Sequence, residues 1–397
     1  MLEDMNAYHR DTWVEVDADA IASNVKSARS LYQKKGKELE LMAVVKADGY
    51  GHGATEVAKV ALAAGATHLA VAFLDEALLL RREGISAPIL VMGYVPPEDA
   101  EYAQRERIAV TVFQLEWLKR ATAVVKAEAP PLAVHIKVDT GMGRIGVRSS
   151  GEVVTVASFV KEEERFSLEG LFTHFATADE NDVSYFNRQH RLFMDVVTIF
   201  EKESLAPTHI HCGNSAAGLR FPAKMFTMFR FGISMYGLTP SPEITDQLPF
   251  GLKPALSLRT KLVQVKKMSA GEGISYGATY TTKEGEWIGT LPVGYADGWI
   301  RANSTTGGYV LVNGEKAPFV GKICMDQCMI RLPRQLEVGT TVTLIGEDAG
   351  AEITMGAVAA RLETINYEVP CLLSKRMPRV YKKGGEVYHV SSLLNRK

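Results

Sequence analysis

The stretch Ala43-Val-Val-Lys46-Ala-Asp-Gly-Tyr50-Gly-His-Gly53 runs from an apolar, β-branched segment through a lysine into a glycine-rich turn. Buried strands seldom end on a lysine without a use for it, because desolvating an ammonium is costly. A lysine so placed can form a Schiff base once its pKa is lowered. The plain alternative is a solvated lysine leaving a strand, so its surroundings must decide.

Short apolar strands alternate with amphipathic helices from about Leu41 to Phe231. The strand candidates are Leu41–Lys46, His68–Ala72, Ile89–Gly93, Ala109–Phe113, Ala133–Asp139, Leu168–His174, His209–Gly213 and Met228–Gly232. Helical patterns such as Ala54–Ala64, Asp75–Arg82, Gln114–Glu128, Gly151–Glu164 and Tyr185–Glu203 lie between them. Several strands read as continuous β-branched runs, as a parallel sheet buried on both faces requires. This order predicts an α/β fold, a (β/α)8 TIM-type barrel; a doubly wound open sheet is the structural alternative.

After about Phe250 the texture changes. Ala255–Val265 alternates with period two, and Trp287–Val293, Tyr309–Val312, Ala317–Val320 and Thr341–Ile345 are further short strands, with Met355–Leu362 the one clear helix. The division predicted is a barrel domain over 1–251 and a mainly β C-terminal domain over 252–397, with the strand Trp13–Asp17 pairing with the second domain.

Composition narrows the class. The 397 residues hold 45 Lys plus Arg against 46 Asp plus Glu. That balance argues against a nucleic-acid or polybasic membrane-binding role. No apolar run is long enough to span a bilayer, and Met1–Arg10 has no apolar segment of signal-peptide type. Four cysteines in so long a chain fit a reducing, cytoplasmic compartment. Cys324 and Cys328 have a metal-like spacing but no second pair, and His209 and His211 share one strand face with no third ligand nearby in sequence. Neither reads as a metal site.

Barrel enzymes work at the C-terminal ends of their strands. Lys46 ends the first strand, Arg144 follows the fifth, His174 ends the sixth, Asn214 and Ser215 follow the seventh, and Arg230 to Ile233 end the eighth. The loops after strands seven and eight are the habitual phosphate site of such barrels. Here they offer the Ser215 hydroxyl and backbone donors near Gly232 and Ile233. A Schiff-base lysine with a phosphate cradle across from it matches the needs of pyridoxal 5′-phosphate.

On these motifs, together with Asp139-Thr-Gly-Met-Gly-Arg144, His211-Cys-Gly-Asn-Ser215, Ser275-Tyr276-Gly, Gly294-Tyr295-Ala-Asp-Gly and Cys324-Met-Asp326-Gln, the chain resembles the bacterial alanine racemases of the pyridoxal-phosphate barrel type. The resemblance spans nearly the whole length. It implies interconversion of L- and D-alanine by two opposed bases, supplying D-alanine for peptidoglycan. Lys46 would carry the cofactor and handle the proton of the D-enantiomer; Tyr276 would handle the L-enantiomer, with His174 and Arg230 as candidates to polarise it. The resemblance also implies a head-to-tail homodimer, with Tyr276 and Met325 reaching the partner's barrel.

The same resemblance assigns the remaining residues. Tyr50, Ser215, Gly232, Ile233 and Tyr367 match phosphate ligands, and Asn214 and His174 flank the cofactor. Arg230 would face the pyridine nitrogen and, having no acceptor, leave it unprotonated. Arg144 and Met325 would contact substrate, with Lys137, Asp326 and Tyr295 in support. Lysine at position 137 implies a carbamate whose negative charge holds Arg144. Asp179, Arg301 and Ile365 fall at the outer entry gate, where Lys322 departs from the arginine of many relatives and cannot make a bidentate pair with Asp179. The competing readings are a serine or broad-specificity racemase, a decarboxylase (opposed by Arg230, where an acid would be expected), and a non-catalytic pyridoxal-phosphate carrier, which would lack the β domain.

Overall fold

The computed structural model describes residues 8–36 and 38–392; the N-terminal segment read above lies mostly outside them. The chain forms two compact units: residues 21–49 with 54–253, and residues 8–20, 50–53 and 254–392.

After strand β1 (Thr12–Asp17), the strands β2 (Glu40–Val44), β3 (His68–Val71), β4 (Ile89–Val91), β5 (Ile108–Val112), β6 (Leu132–Lys137), β7 (Phe166–Phe172), β8 (His209–His211) and β9 (Met228–Phe231) close into one barrel. All eight neighbouring pairs are parallel, and β9 returns to β2 with Leu41 opposite Phe229. β4, β5 and β9 are buried along their whole length, and apart from Thr111 and Arg230 their residues are apolar, as a sheet covered on both faces requires. The barrel expectation is therefore met, and the open-sheet alternative is excluded by closure.

The strands stop earlier than expected. β2 ends at Val44, so Lys46 lies two residues past the last ladder residue. The cause is a left-handed turn: Ala47, Asp48 and Gly49 have φ of 53°, 54° and 61° with ψ near 45°, and Tyr50 has φ of 51°. The three non-glycine residues cost about 1–2 kcal/mol each. Long-range and local partners hold the turn. The Glu76 carboxylate accepts from Ala47 N (2.6 Å), Asp48 Oδ1 accepts from Ala54 N (3.1 Å), and Gly49 N donates to the Val45 carbonyl (2.9 Å). The predicted helix Gln114–Glu128 is only Leu115–Ala121. Thr122 returns its hydroxyl to the Leu118 carbonyl (2.9 Å), a side-chain bond that competes with helix continuation.

The second unit is mainly β. β1 pairs antiparallel with Leu256–Lys261 and parallel with Arg379–Lys383, inside an eight-stranded sheet. The alternating run Ala255–Val265 is not one strand. It breaks after Lys261, where Leu262 N bonds to Thr340 O and Val263 N to Thr290 O, and Gln264–Met268 joins a separate three-stranded sheet. A second short helix, Glu368–Leu372, follows Met355–Arg361. The hairpin Gly273–Ile274 with Tyr280–Thr281 carries Tyr276 on its loop.

Gly51 shows how tightly this unit is packed. It has φ of +78°, and a Cβ there would lie 1.9 Å from the Pro370 carbonyl oxygen. Gly143 has a similar φ, +72°, with nothing within 4 Å. Gly51→Ala is expected to cost about 3 kcal/mol or more, left-handed strain plus overpacking; Gly143→Ala, strain alone, about 1 kcal/mol. Denaturant unfolding of the two variants measures the difference, and equal losses would refute the packing account.

Candidate active site

Burial and charge concentrate at the C-terminal ends of β6 to β9. Arg230 on β9 is only 3% exposed. Its guanidinium donates to the carbonyls of Thr173 (2.9 Å), Cys212 (3.1 Å) and His211 (3.2 Å), to His211 Nδ1 (2.8 Å), and lies 3.3 Å from His174 Nδ1. Burial pulls its pKa down to about 10, still far above neutrality, so Arg230 is a cation.

That cation sets the histidines behind it. An arginine only donates, so His211 Nδ1 accepts and His211 carries its proton on Nε2. Nε2 then donates to His135 Nδ1 at 2.9 Å, and His135 Nε2 donates to Glu169 Oε2 at 3.3 Å. Burial holds His211 well below the usual histidine range and lowers His135; both imidazoles are neutral. The hydrogen bond from His135 lowers the Glu169 pKa, so a carboxylate closes the line. The chain Arg230–His211–His135–Glu169 thus runs through the barrel interior with every proton position assigned by its two ends.

His174, next after Thr173, is held well below its usual pKa by burial, then by Arg230, Lys137, Arg144 and Lys46. Positive charge from Arg230, which touches it, and from the more distant Lys137, Arg144 and Lys46 thus disfavours protonation of His174. Lys137, the last residue of β6, donates to the Val138 carbonyl (2.8 Å), and its ammonium stands 5.6 Å over the Phe172 ring. Burial and then Arg230 bring its pKa down to about 7. Asp139 is the acid acting on Lys137, and it is occupied by Gly141 N and Gly143 N. A mouth with this excess of positive charge is built for an anion.

The phosphate cradle takes shape beside it. Asn214 caps the helix Ser215–Arg220 by accepting from Ala217 N (3.0 Å). Buried Ser215 Oγ accepts from Gly232 N (3.0 Å) and Ser234 N (3.4 Å), and Ile233 opens a 3-10 turn. The buried Ser234 hydroxyl finds no protein partner. An incoming phosphate oxygen would satisfy it, so the residues present fit the group. Sequence reasoning did not single out Ser234, His135 or Glu169.

In the second unit the remaining candidates fall in two sets. Tyr50 and Tyr367 face each other with ring centroids 6.4 Å apart, and burial raises the Tyr50 pKa, keeping its phenol a donor. Tyr276 is 70% exposed, Met325 53% and Ile365 63%. Tyr276 sits between Ser275 (φ 64°) and Gly277 (φ 75°), and Ser275 Oγ donates to the Lys322 carbonyl (2.5 Å). Tyr295 N donates to the Cys324 carbonyl (3.1 Å), beside Met325. Asp326 accepts from Arg376 (2.7 Å), and Arg301 opens a 3-10 turn. In the barrel unit, burial raises the Asp179 pKa, with Arg220 as its opposing cation.

Comparison with known proteins agrees with this arrangement. Residues 16–240 match the family model "Alanine racemase, N-terminal domain" and residues 255–381 match "Alanine racemase, C-terminal domain". The chain is 58% identical over 390 residues to an alanine racemase of Halalkalibacterium halodurans, covering 98% of this chain and 100% of that one. It is 52% identical over 392 residues to that of Geobacillus stearothermophilus, covering 99% of both. The crystal structure of alanine racemase from Bacillus anthracis with bound L-Ala-P superposes with a TM-score of 0.93 at 47% identity, covering 98% of this chain and 99% of that one. The chain belongs to the alanine racemases, pyridoxal-phosphate-dependent isomerases that interconvert L- and D-alanine.

Proposed function

We propose that Lys46 and Tyr276 are the two acid–base groups of this racemase. The observation that supports the proposal is the place of Lys46, two residues past β2 in the barrel unit whose strand ends also bury Lys137 and Arg230. Lys46, Tyr50, Ser215, Gly232, Ile233 and Tyr367 would hold pyridoxal phosphate, with Asn214 and His174 beside it. Bound there, the cofactor supplies an electron sink that acidifies the substrate Cα–H.

Lys46 Nζ exchanges the Cα proton of D-alanine, and the Tyr276 phenol that of L-alanine on the opposite face. Arg144 and the Met325 backbone N–H orient substrate, with Asp326 and Tyr295 in support. Arg230 stays protonated and donates only, so a ring nitrogen facing it acquires no proton. Proton return to Cα is then favoured over return elsewhere. Lys137, neutral in part near pH 7, presents a nucleophilic amine to carbon dioxide; an N–C bond forms, one N–H proton leaves to solvent, and the resulting carbamate pairs with Arg144 and offsets the local positive charge. Asp179, Arg301 and Ile365 form the outer gate, where Lys322 replaces a bidentate arginine with a point charge.

Tyr276, Met325 and Ile365 are exposed large side chains of the second unit, open to a partner subunit. Their exposure supports a homodimer in which Tyr276 and Met325 complete the partner's site. Among the described residues no helix is long and apolar enough to cross a membrane. The product would enter peptidoglycan synthesis in the cytoplasm.

Four measurements test these assignments. Lys46→Ala and Tyr276→Phe should each lower racemisation about 100-fold or more, the scale of a lost acid–base group. Mixing the two inactive proteins and allowing subunit exchange should restore activity, because each mixed dimer then holds one intact shared site. Failure to regain activity, despite demonstrated exchange, would sink the shared-site reading. Arg230→Glu should raise the ratio of pyruvate formed by transamination to alanine racemised; an unchanged ratio removes Arg230 from control of proton return. Isotope-labelled bicarbonate should give a carbamate carbon resonance that Lys137→Met abolishes; its absence from the unmodified enzyme rejects the carbamate.

A further inference from the structure

The opposite, N-terminal end of the barrel carries a second group of titratable side chains that the racemase chemistry does not use. Glu40, His68 and His209 are each the first residue of their strand, in β2, β3 and β8. The interior of such a barrel is ordinarily filled by branched apolar side chains. Here His68 Nδ1 lies 2.9 Å and His209 Nδ1 4.0 Å from Glu40 Oε2. The two imidazole rings meet edge-on with centroids 4.9 Å apart, and one donor atom from each of the three residues falls within 4.8 Å of the other two.

We propose that Glu40, His68 and His209 bind one divalent transition-metal ion, with zinc the best match. Two imidazoles and a carboxylate are an established zinc donor set that leaves a fourth position for water. Tetrahedral bonds of about 2.0–2.1 Å separate donor atoms by roughly 3.4 Å. The two donor distances to Glu40, 2.9 and 4.0 Å, lie on either side of that value, and all three separations are within 4.8 Å.

The surroundings favour a cation. Glu169 adds a second carboxylate acting on both His68 and His209. The His135 ring stacks on His209 at 6.4 Å, 16° from parallel. The Thr67 hydroxyl lies 3.4 Å from Glu40 Oε2 and 2.9 Å from His68 Nδ1; metal binding at Nδ1 displaces the second contact and leaves the hydroxyl to the carboxylate. Entry is open, since the Glu40 side chain is 42% exposed while those of His68 and His209 are 12% and 10%. When the ion is bound, Nδ1 of His68 donates its lone pair and the ring proton resides on Nε2. The bond to Glu40 is exchanged for two bonds to one metal.

Untagged holoenzyme, stripped with a chelator and dialysed, is titrated with zinc chloride by calorimetry and with cobalt chloride by visible absorbance. One ion per chain is expected, with the intense ligand-field bands of low-coordinate cobalt. Glu40→Gln and His68→Gln, checked for folding by cofactor absorbance, should each weaken binding at least about 100-fold, beyond the effect of losing an outer partner. Cys371→Ser, which removes an exposed thiol outside the cluster, should leave binding unchanged. No binding by the holoenzyme, or binding that survives both Glu40→Gln and His68→Gln, overturns the proposal. Anomalous scattering that places zinc elsewhere in a crystal overturns it as well.

Discussion

The fully enclosed guanidinium of Arg230 is the constraint around which the barrel interior is organised. A buried cation without a paired carboxylate needs every donor satisfied. The barrel supplies carbonyls from Thr173, His211 and Cys212, where β7 and β8 end, and a nitrogen from His211. Glu169 supplies the compensating charge at a distance, relayed through two neutral imidazoles. The result is a cation fixed in direction as well as position.

Strain accompanies both candidate bases. Lys46 precedes a left-handed turn, and Tyr276 is flanked by positive φ at Ser275 and Gly277. Such conformations persist only where surrounding structure over-determines them. Glu76 does this for Ala47, and the Lys322 carbonyl for Ser275.

The barrel was legible because its strands are buried on both faces and its crossovers have helical period. Lys46, Ser215 and Arg230 were legible as residues at strand ends beside glycine turns. Strand limits were less so: β2 stops at Val44 before a turn held in part by Glu76, a residue of another element. The break after Lys261 was hidden for the same reason: period-two alternation continues through it while the backbone changes sheets. His135 and Glu169 were invisible as partners of Arg230, since they lie on β6 and β7 with nothing local to link them. Only the family resemblance, and not spacing, pointed to Tyr276.

The sequence by itself determined the architecture, the residue types available for catalysis and, through seven motifs, the family. These are properties of periodicity and of local spacing, which a chain carries before it folds. Only the tertiary structure decided which imidazole faces Arg230 and which faces Glu40. His209 and His211 share one strand face, yet barrel closure sends one toward the N-terminal opening and the other toward the buried guanidinium. Depth inside a barrel is set by the register of non-adjacent strands, and register is a long-range property that no local pattern records.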